Sequence, residues 1–225
     1  MVWLISFDID GTLETGNGPG PITLEMVRRA LEHGYIIGSC SDRPVQDQQA
    51  MWAAAGIEPS FTVLFLSRIQ VKKGIEHLID AVAILQGDGR ADVRVIVAGT
   101  GDDDYVAAMR ARAETAGVEG RFTWAGHVGG DLKNSLYAAC DVFALPTSQE
   151  NFGFVFFESL ASGTPVVTTD LVDTRHEIER SGGGVIIPQS AARFAEAIAS
   201  FASGERDGVA MGAAGRKWTL ENLDT

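Results

Sequence analysis

Glu150 and Glu158 flank Gly153 in PTSQENFGFVFFESLASGTPVV, residues 146–167. An apolar run ends at Pro146 and a helical pattern begins near Gly153, so the N–H groups of Gly153, Phe154 and Val155 fall at a helix N-terminus. Such groups lack intrahelical partners and sit at the positive end of the helix dipole, which suits a phosphate. Gly153 has no Cβ to hold a ligand away from the backbone. Glu158, roughly one and a half turns along, can accept two ribose hydroxyls, and Glu150, ahead of the helix, can reach a sugar. Arg68 and Lys73 follow the apolar run 62–66. Ligands of α/β proteins bind at the C-terminal ends of strands, and fixed cations there offset the charge of a diphosphate leaving group.

A second chemistry is written near the N-terminus. In SFDIDGT (6–12), Asp8 and Asp10 stand two residues apart after an apolar strand. Two such carboxylates can hold Mg²⁺ while one attacks a phosphorus atom and the other protonates the leaving group.

The elements that must position these residues are legible as alternating runs. Apolar segments at 2–7, 35–39, 62–66, 93–98, 122–126, 141–145, 164–168 and 184–187 predict strands. Most are continuously apolar, as expected of strands covered on both faces of a parallel sheet. Helical patterns lie near 23–33, 46–55, 73–86, 103–116, 131–139, 153–162, 175–181, 190–202 and 206–217. Gly34, Gly56, Gly87, Gly117 and Gly163 follow helices, where a left-handed residue is wanted, and Thr23 and Asp131 are candidate N-caps. Asp102–Asp104 reads as a capped, solvated helix start. The β-α alternation predicts an α/β protein with a mainly parallel sheet of about eight strands. The loop TGNGPGPIT (15–23) reads as the most flexible stretch, and 57–60 as the seam between segments 1–60 and 61–225.

Composition narrows the function classes. The 225 residues are 45% hydrophobic, with 26 Gly and 7 Pro, as in a globular α/β chain with a sizeable core. A net charge of −12 and the lack of a basic run argue against a nucleic-acid partner. Cys40 and Cys140 each end an apolar run and belong to no metal spacing, so both read as reduced core residues. The N-terminal MVWLISFDID lacks a cationic leader and is too short to span a membrane, which predicts a cytoplasmic protein.

The segment 146–170 resembles the E-x7-E signature of retaining glycosyltransferases with the GT-B fold. The likeness extends through Ser159-Leu160-Ala161-Ser162-Gly163-Thr164-Pro165-Val166-Val167. LFLSRIQVKKGIEHLIDAV (64–82) is similar to the opening of that family's C-terminal domain, with Ser67 in place of a usual glycine. Segments 95–109 and 121–128 follow in family order. The resemblance implies a Rossmann-like, three-layer α/β/α domain over 61–225 that binds a nucleoside diphosphate sugar. It assigns Arg68 and Lys73 to the diphosphate, Glu158 to the ribose, Glu150 to the sugar, and Gly126 and His127 to the base.

The first 60 residues resemble motifs one and two of the haloacid dehalogenase superfamily, through Asp8-Ile9-Asp10-Gly11-Thr12 and IIGSCSDRP (36–44). That likeness implies Asp8 as nucleophile, Asp10 as general acid/base, Mg²⁺ at both, and Thr12 and Ser41 as phosphate-binding hydroxyls. Its later motifs are not seen, nor is a glycosyltransferase acceptor domain, which suggests a natural or engineered chimera. Three functions stay open: a sugar-nucleotide binder, a Mg²⁺-dependent phosphatase, and a non-catalytic scaffold. About 60 residues with two strands are too few for an independent core, so the N-terminal piece should extend the larger sheet, pack on it, or pair with another chain.

Overall fold

A computed structural model describes residues 4–8, 13–15, 18–33, 35–40, 51–52, 54, 60–90 and 92–223. The chain divides into two compact units, Met1–Phe61 and Thr62–Thr225.

The larger unit is built on six strands: β5 (Phe61–Leu66), β6 (Val93–Ala98), β7 (Phe122–Gly126), β8 (Val142–Leu145), β9 (Val166–Thr169) and β10 (Gly184–Ile187). They lie in the order β10-β9-β8-β5-β6-β7. Every pair with a resolved register is parallel, such as Val63 with Val142 and Phe143 with Val166. β8 is buried throughout and β5 at all but its first residue, in keeping with their predominantly apolar sequences VFAL and FTVLFL. The two threonines of β9 are buried but satisfied: Thr168 Oγ1 donates to the Leu145 carbonyl at 2.9 Å and Thr169 Oγ1 to that of Thr147 at 2.6 Å.

Helices cover the sheet. These are α2 (Ile75–Gly87), α3 (Asp103–Thr115), α4 (Gly130–Ala139), α5 (Phe154–Ala161), α6 (Arg175–Arg180), α7 (Ala191–Ala202) and α8 (Gly208–Leu223). α2 packs against α3 and α7, and α5 against α4 and α8. α2 turns Ile75, Leu78, Ile79, Val82 and Leu85 inward at helical spacing. The result is the expected α/β/α arrangement, with the first strand of the unit at the centre of the sheet.

Several expectations need correction. The main sheet has six strands instead of about eight. β1 (Leu4–Asp8) and β4 (Ile36–Cys40) pair in a parallel two-stranded sheet of their own. They could not have inserted beside β5, because β8 and β6 occupy both its edges. The smaller unit also holds a short antiparallel pair, β2 (Glu14–Thr15) with β3 (Gly18–Pro19), flanked by Gly20 N–H donating to Leu13 O at 2.9 Å. In the same unit, α1 (Leu24–Glu32) starts after Thr23, whose Oγ1 accepts the Met26 N–H at 3.3 Å. Leu13, Val27 and Trp52 form a small core there, with Ile22, Leu24 and Tyr35 against it.

Asp131 is not an N-cap. Gly129 holds that position without a side-chain bond, and Asp131 lies in the first turn of α4, where its charge complements the dipole. Gly87 is the last residue of α2, and the left-handed residue that follows is Gly89. Gly117 and Gly163 are left-handed as expected, while Gly34 and Gly56 lie outside the described residues. Asp102 does cap α3, accepting the Tyr105 N–H at 3.1 Å.

Cys140 is a free, buried thiol at the foot of β8. Burial, and then the neighbouring Asp141 charge, push its pKa well up, so little thiolate forms. With Cys40 replaced by serine, Cys140 should react with Ellman's reagent at pH 8 at least about a hundredfold slower than in the unfolded chain, the factor given by some 2.7 kcal/mol of opening free energy. Equal rates in the two states would contradict its placement.

Candidate functional site

In the order of this sheet, chain connections run one way from β5 and the other way from β8. That reversal is the switch point beyond whose strand ends the ligands of open α/β sheets bind. The residues singled out in the sequence lie on the loops at those strand ends.

After β5 the chain makes a 3-10 turn, Val71–Lys73, that ends at Gly74 in the left-handed conformation (φ 68°). A Cβ on Gly74 would lie 2.0 Å from the Pro146 carbonyl oxygen. Only glycine allows this approach, and it brings the turn onto the loop after β8. The Lys72 carbonyl completes the junction. It accepts the Ser148 N–H at 2.8 Å and the hydroxyls of Thr147 and Ser148 at 3.0 and 3.2 Å. Gln189 Nε2 donates to Pro146 O at 2.9 Å from the far side.

This docking carries Lys73 into the interior, where 6% of the residue remains exposed. Its ammonium forms an ion pair and hydrogen bond with Glu150 Oε2. Glu150 is held in turn by its backbone, which bridges Val172 and accepts the Asp173 N–H at 2.9 Å. Gly153 follows at φ 68°, and a Cβ there would lie 2.5 Å from the Phe156 ring and 2.9 Å from Glu150 Cγ. α5 begins at Phe154 with no side-chain cap. Its first N–H groups thus open beside the Lys73–Glu150 pair.

Glu158 lies further along α5 and makes a separate contact. Its Oε1 pairs with Lys133 Nζ at 2.6 Å, and Oε2 accepts the Tyr137 hydroxyl at 3.2 Å. Burial, and then the Glu158 charge, push the Tyr137 pKa far up, so the phenol is a proton donor at neutral pH.

Arg68 is exposed and lines a depression of about 300 Å³ with Ile69, Gln70, Thr100, Asp102 and Tyr105. Gln70 Nε2 is buried there without a hydrogen-bond partner among the described residues. Gly126 closes edge strand β7 at φ 71°, and its carbonyl accepts the Gly99 N–H at 2.7 Å. His127 is exposed on the loop that leads into α4. Among the described residues no hydrogen bond or ion pair links Arg68 or His127 to either glutamate.

The structure thus brings Lys73 to Glu150 and adds Lys133 and Tyr137 to Glu158, a pair absent from the sequence reading. Their i, i+4 spacing on a predicted helix was the available signal. Asp8 ends β1 opposite Cys40 in register, and Asp10, Thr12 and Ser41 lie outside the described residues. Among the described residues, no group of three or more His, Cys, Asp or Glu side chains could hold a metal.

The Lys73–Glu150 pair makes an asymmetric prediction. Glu150→Ala strands a buried ammonium and should lower the unfolding free energy by about 3 kcal/mol, whereas Lys73→Met with Glu150→Leu should recover most of that loss. Urea unfolding of the two variants measures the difference.

Residues 47–218 match the family described as Glycosyl transferases group 1. A GDP-mannose-dependent alpha-(1-6)-phosphatidylinositol monomannoside mannosyltransferase of Mycobacterium tuberculosis is 32% identical over 165 residues, 70% of this chain and 42% of that protein. The chain spans less than half the length of the curated relatives it matches. The crystal structure of Anabaena Alr3699/HepE in complex with UDP and glucose superposes with a TM-score of 0.68 at 21% identity, over 89% of this chain and 57% of that one. The C-terminal domain of the Francisella tularensis group 1 glycosyl transferase LpcC gives 0.63 at 20% identity, over 80% of this chain and 94% of that domain. The two structures share the fold of the six-strand unit, and the family match over three quarters of the sequence settles kinship: the chain belongs to the group 1 glycosyl transferases.

Proposed function

We propose that the chain binds a nucleoside diphosphate sugar at the C-terminal edge of its six-strand sheet, as the donor-binding part of a glycosyltransferase. The observation that carries this reading is the meeting of Lys73 and Glu150 where the loops after β5 and β8 dock, beside the open N-terminus of α5. A diphosphate needs fixed cations and free N–H donors in one place, and this junction offers both. Under this reading Lys73, with Arg68, takes the diphosphate, together with the N–H groups of Gly153, Phe154 and Val155. Glu150 is then released toward the sugar hydroxyls, Glu158 takes the ribose, and the loop at Gly126 and His127 lies along the base.

The mycobacterial relative is GDP-mannose-dependent and the Anabaena structure holds UDP and glucose, so GDP-mannose and UDP-glucose are the first donors to try. Binding is the part of the reaction these residues account for; transfer also requires an acceptor site. Isothermal titration of the whole chain with GDP, UDP, ADP and their sugars should give saturable heat with at least one. Arg68→Ala, a change at an exposed side chain, should weaken that binding roughly tenfold or more by removing a hydrogen bond between charged groups. A folded chain that binds none of them refutes the reading.

A second reading attaches to the N-terminal unit. β1 and β4 run parallel and end together, Asp8 opposite Cys40 and one residue short of Ser41. That end of a parallel pair is where phosphate chemistry resembling the haloacid dehalogenases would sit. Asp8 and Asp10 would then hold Mg²⁺. Hydrolysis of p-nitrophenyl phosphate that requires Mg²⁺ and is lost in Asp8→Asn is the expected result; hydrolysis undiminished in Asp8→Asn rejects this nucleophile. A chain with neither activity is a scaffold in which both motif sets are relics, whether it arose by natural fusion or by design.

A further inference from the structure

Both oxygens of Glu158 already carry a donor. Lys133 and Tyr137 lie four residues apart on α4 and so share one helix face. From that face Lys133 Nζ reaches Oε1 at 2.6 Å and the Tyr137 hydroxyl reaches Oε2 at 3.2 Å. Each carboxylate oxygen can accept more than one hydrogen bond. The clamp therefore leaves one acceptor direction on each oxygen, and the two lie side by side. The Glu158 side chain is 35% exposed, so these free directions are open to a ligand.

The clamp is rigid for a reason visible in the core. Tyr137 is fully buried, and its ring meets Phe143 of β8 edge-on, centroids 5.6 Å apart. Phe143 meets Phe156 in the same manner at 6.0 Å. Phe156 stands two residues before Glu158 on α5, so one chain of aromatic contacts fixes the donor and the helix that bears the acceptor. An unclamped glutamate would lose rotamer entropy whenever it bound a ligand, and the clamp removes most of that cost in advance.

We infer that Lys133 and Tyr137 are positioning residues that set the Glu158 carboxylate for the neighbouring 2′- and 3′-hydroxyls of a ribose, which makes the site selective for ribonucleotides over 2′-deoxyribonucleotides. The inference rests on the donor-binding reading above and adds to it a discriminating function for two residues outside the E-x7-E motif. A clamp that only braced α4 against α5 would change stability and leave sugar discrimination untouched.

The test compares GDP with 2′-deoxy-GDP, UDP with 2′-deoxy-UDP and ADP with 2′-deoxy-ADP, by calorimetry on the whole chain. The wild type should prefer the ribonucleotide by about ten- to a hundredfold, the cost of one lost hydrogen bond to a charged acceptor. In Tyr137→Phe and in Lys133→Met the preference should fall to within about threefold, mainly through weaker ribonucleotide binding. Lys133→Arg keeps a cation within reach of Oε1 and should retain most of it. Circular dichroism reports whether each variant folds. The solvent-accessible Lys133→Met change keeps the test open should Tyr137→Phe unfold the chain. An unchanged ratio in Lys133→Met overturns the inference, and equal weakening of both nucleotides assigns Lys133 to the phosphates. If the wild type binds no nucleotide, the donor-binding reading fails first and this inference with it.

Discussion

The close approach of Gly74 to the Pro146 carbonyl is the constraint on which the site depends. β5 and β8 are neighbours in the sheet, so their loops emerge together, but adjacency alone would leave them apart at a topological switch point. The left-handed glycine lets the turn Val71–Lys73 settle onto the β8 loop, and the Lys72 carbonyl fastens it through the Ser148 N–H and two hydroxyls. A side chain at position 74 would need both an unfavourable φ and about 1 Å or more of backbone displacement, given ordinary van der Waals distances. The ammonium of Lys73 would then no longer reach the carboxylate of Glu150.

That geometry also sets the electrostatics. A chain of net charge −12 repels an anionic nucleotide at long range, so any attraction must be local. Here the local cations are paired with the carboxylates that the sequence marks for the sugar and the ribose: Lys73 with Glu150, Lys133 with Glu158. The two pairs differ in character. Lys73 is almost wholly enclosed, so its pair is expensive to break from one side, whereas Lys133 and Glu158 keep a share of solvent and can accommodate a newcomer without losing each other. A buried pair is weak evidence for stability. Under the donor-binding reading its value is to hold the lysine where a diphosphate would need it.

Much of the larger unit was legible in the sequence because a doubly covered parallel sheet writes itself as continuous apolar runs. The strands at 93–98, 122–126 and 184–187 match to the residue, and the helices are placed within a few residues except for α8, which runs six residues further than its pattern. The misses have physical causes. Asp131 has the chemistry of a cap, but Gly129 and Gly130 allow the helix to begin earlier without one. In the site, Lys73 and the two glutamates stood out by type and spacing. The partners of Glu158 did not, because periodicity shows that α4 has a face and cannot show which helix that face meets.

The fold alone does not decide chemistry, since Rossmann-like sheets host many ligands. What narrows the choice is the mix of groups at one edge of this sheet. An enclosed lysine suits an anion; uncapped helix N–H groups suit the oxygens of a phosphate; carboxylates held by lysine, one of them also by tyrosine, suit neutral hydroxyls. A ligand that presents an anion between two polyols satisfies all three at once, and a nucleoside diphosphate sugar has that order, ribose, diphosphate, hexose. Under the donor-binding reading the same order appears along the chain, from Glu158 through the start of α5 to Glu150, with the helix N–H groups for the diphosphate between the two carboxylates for the polyols.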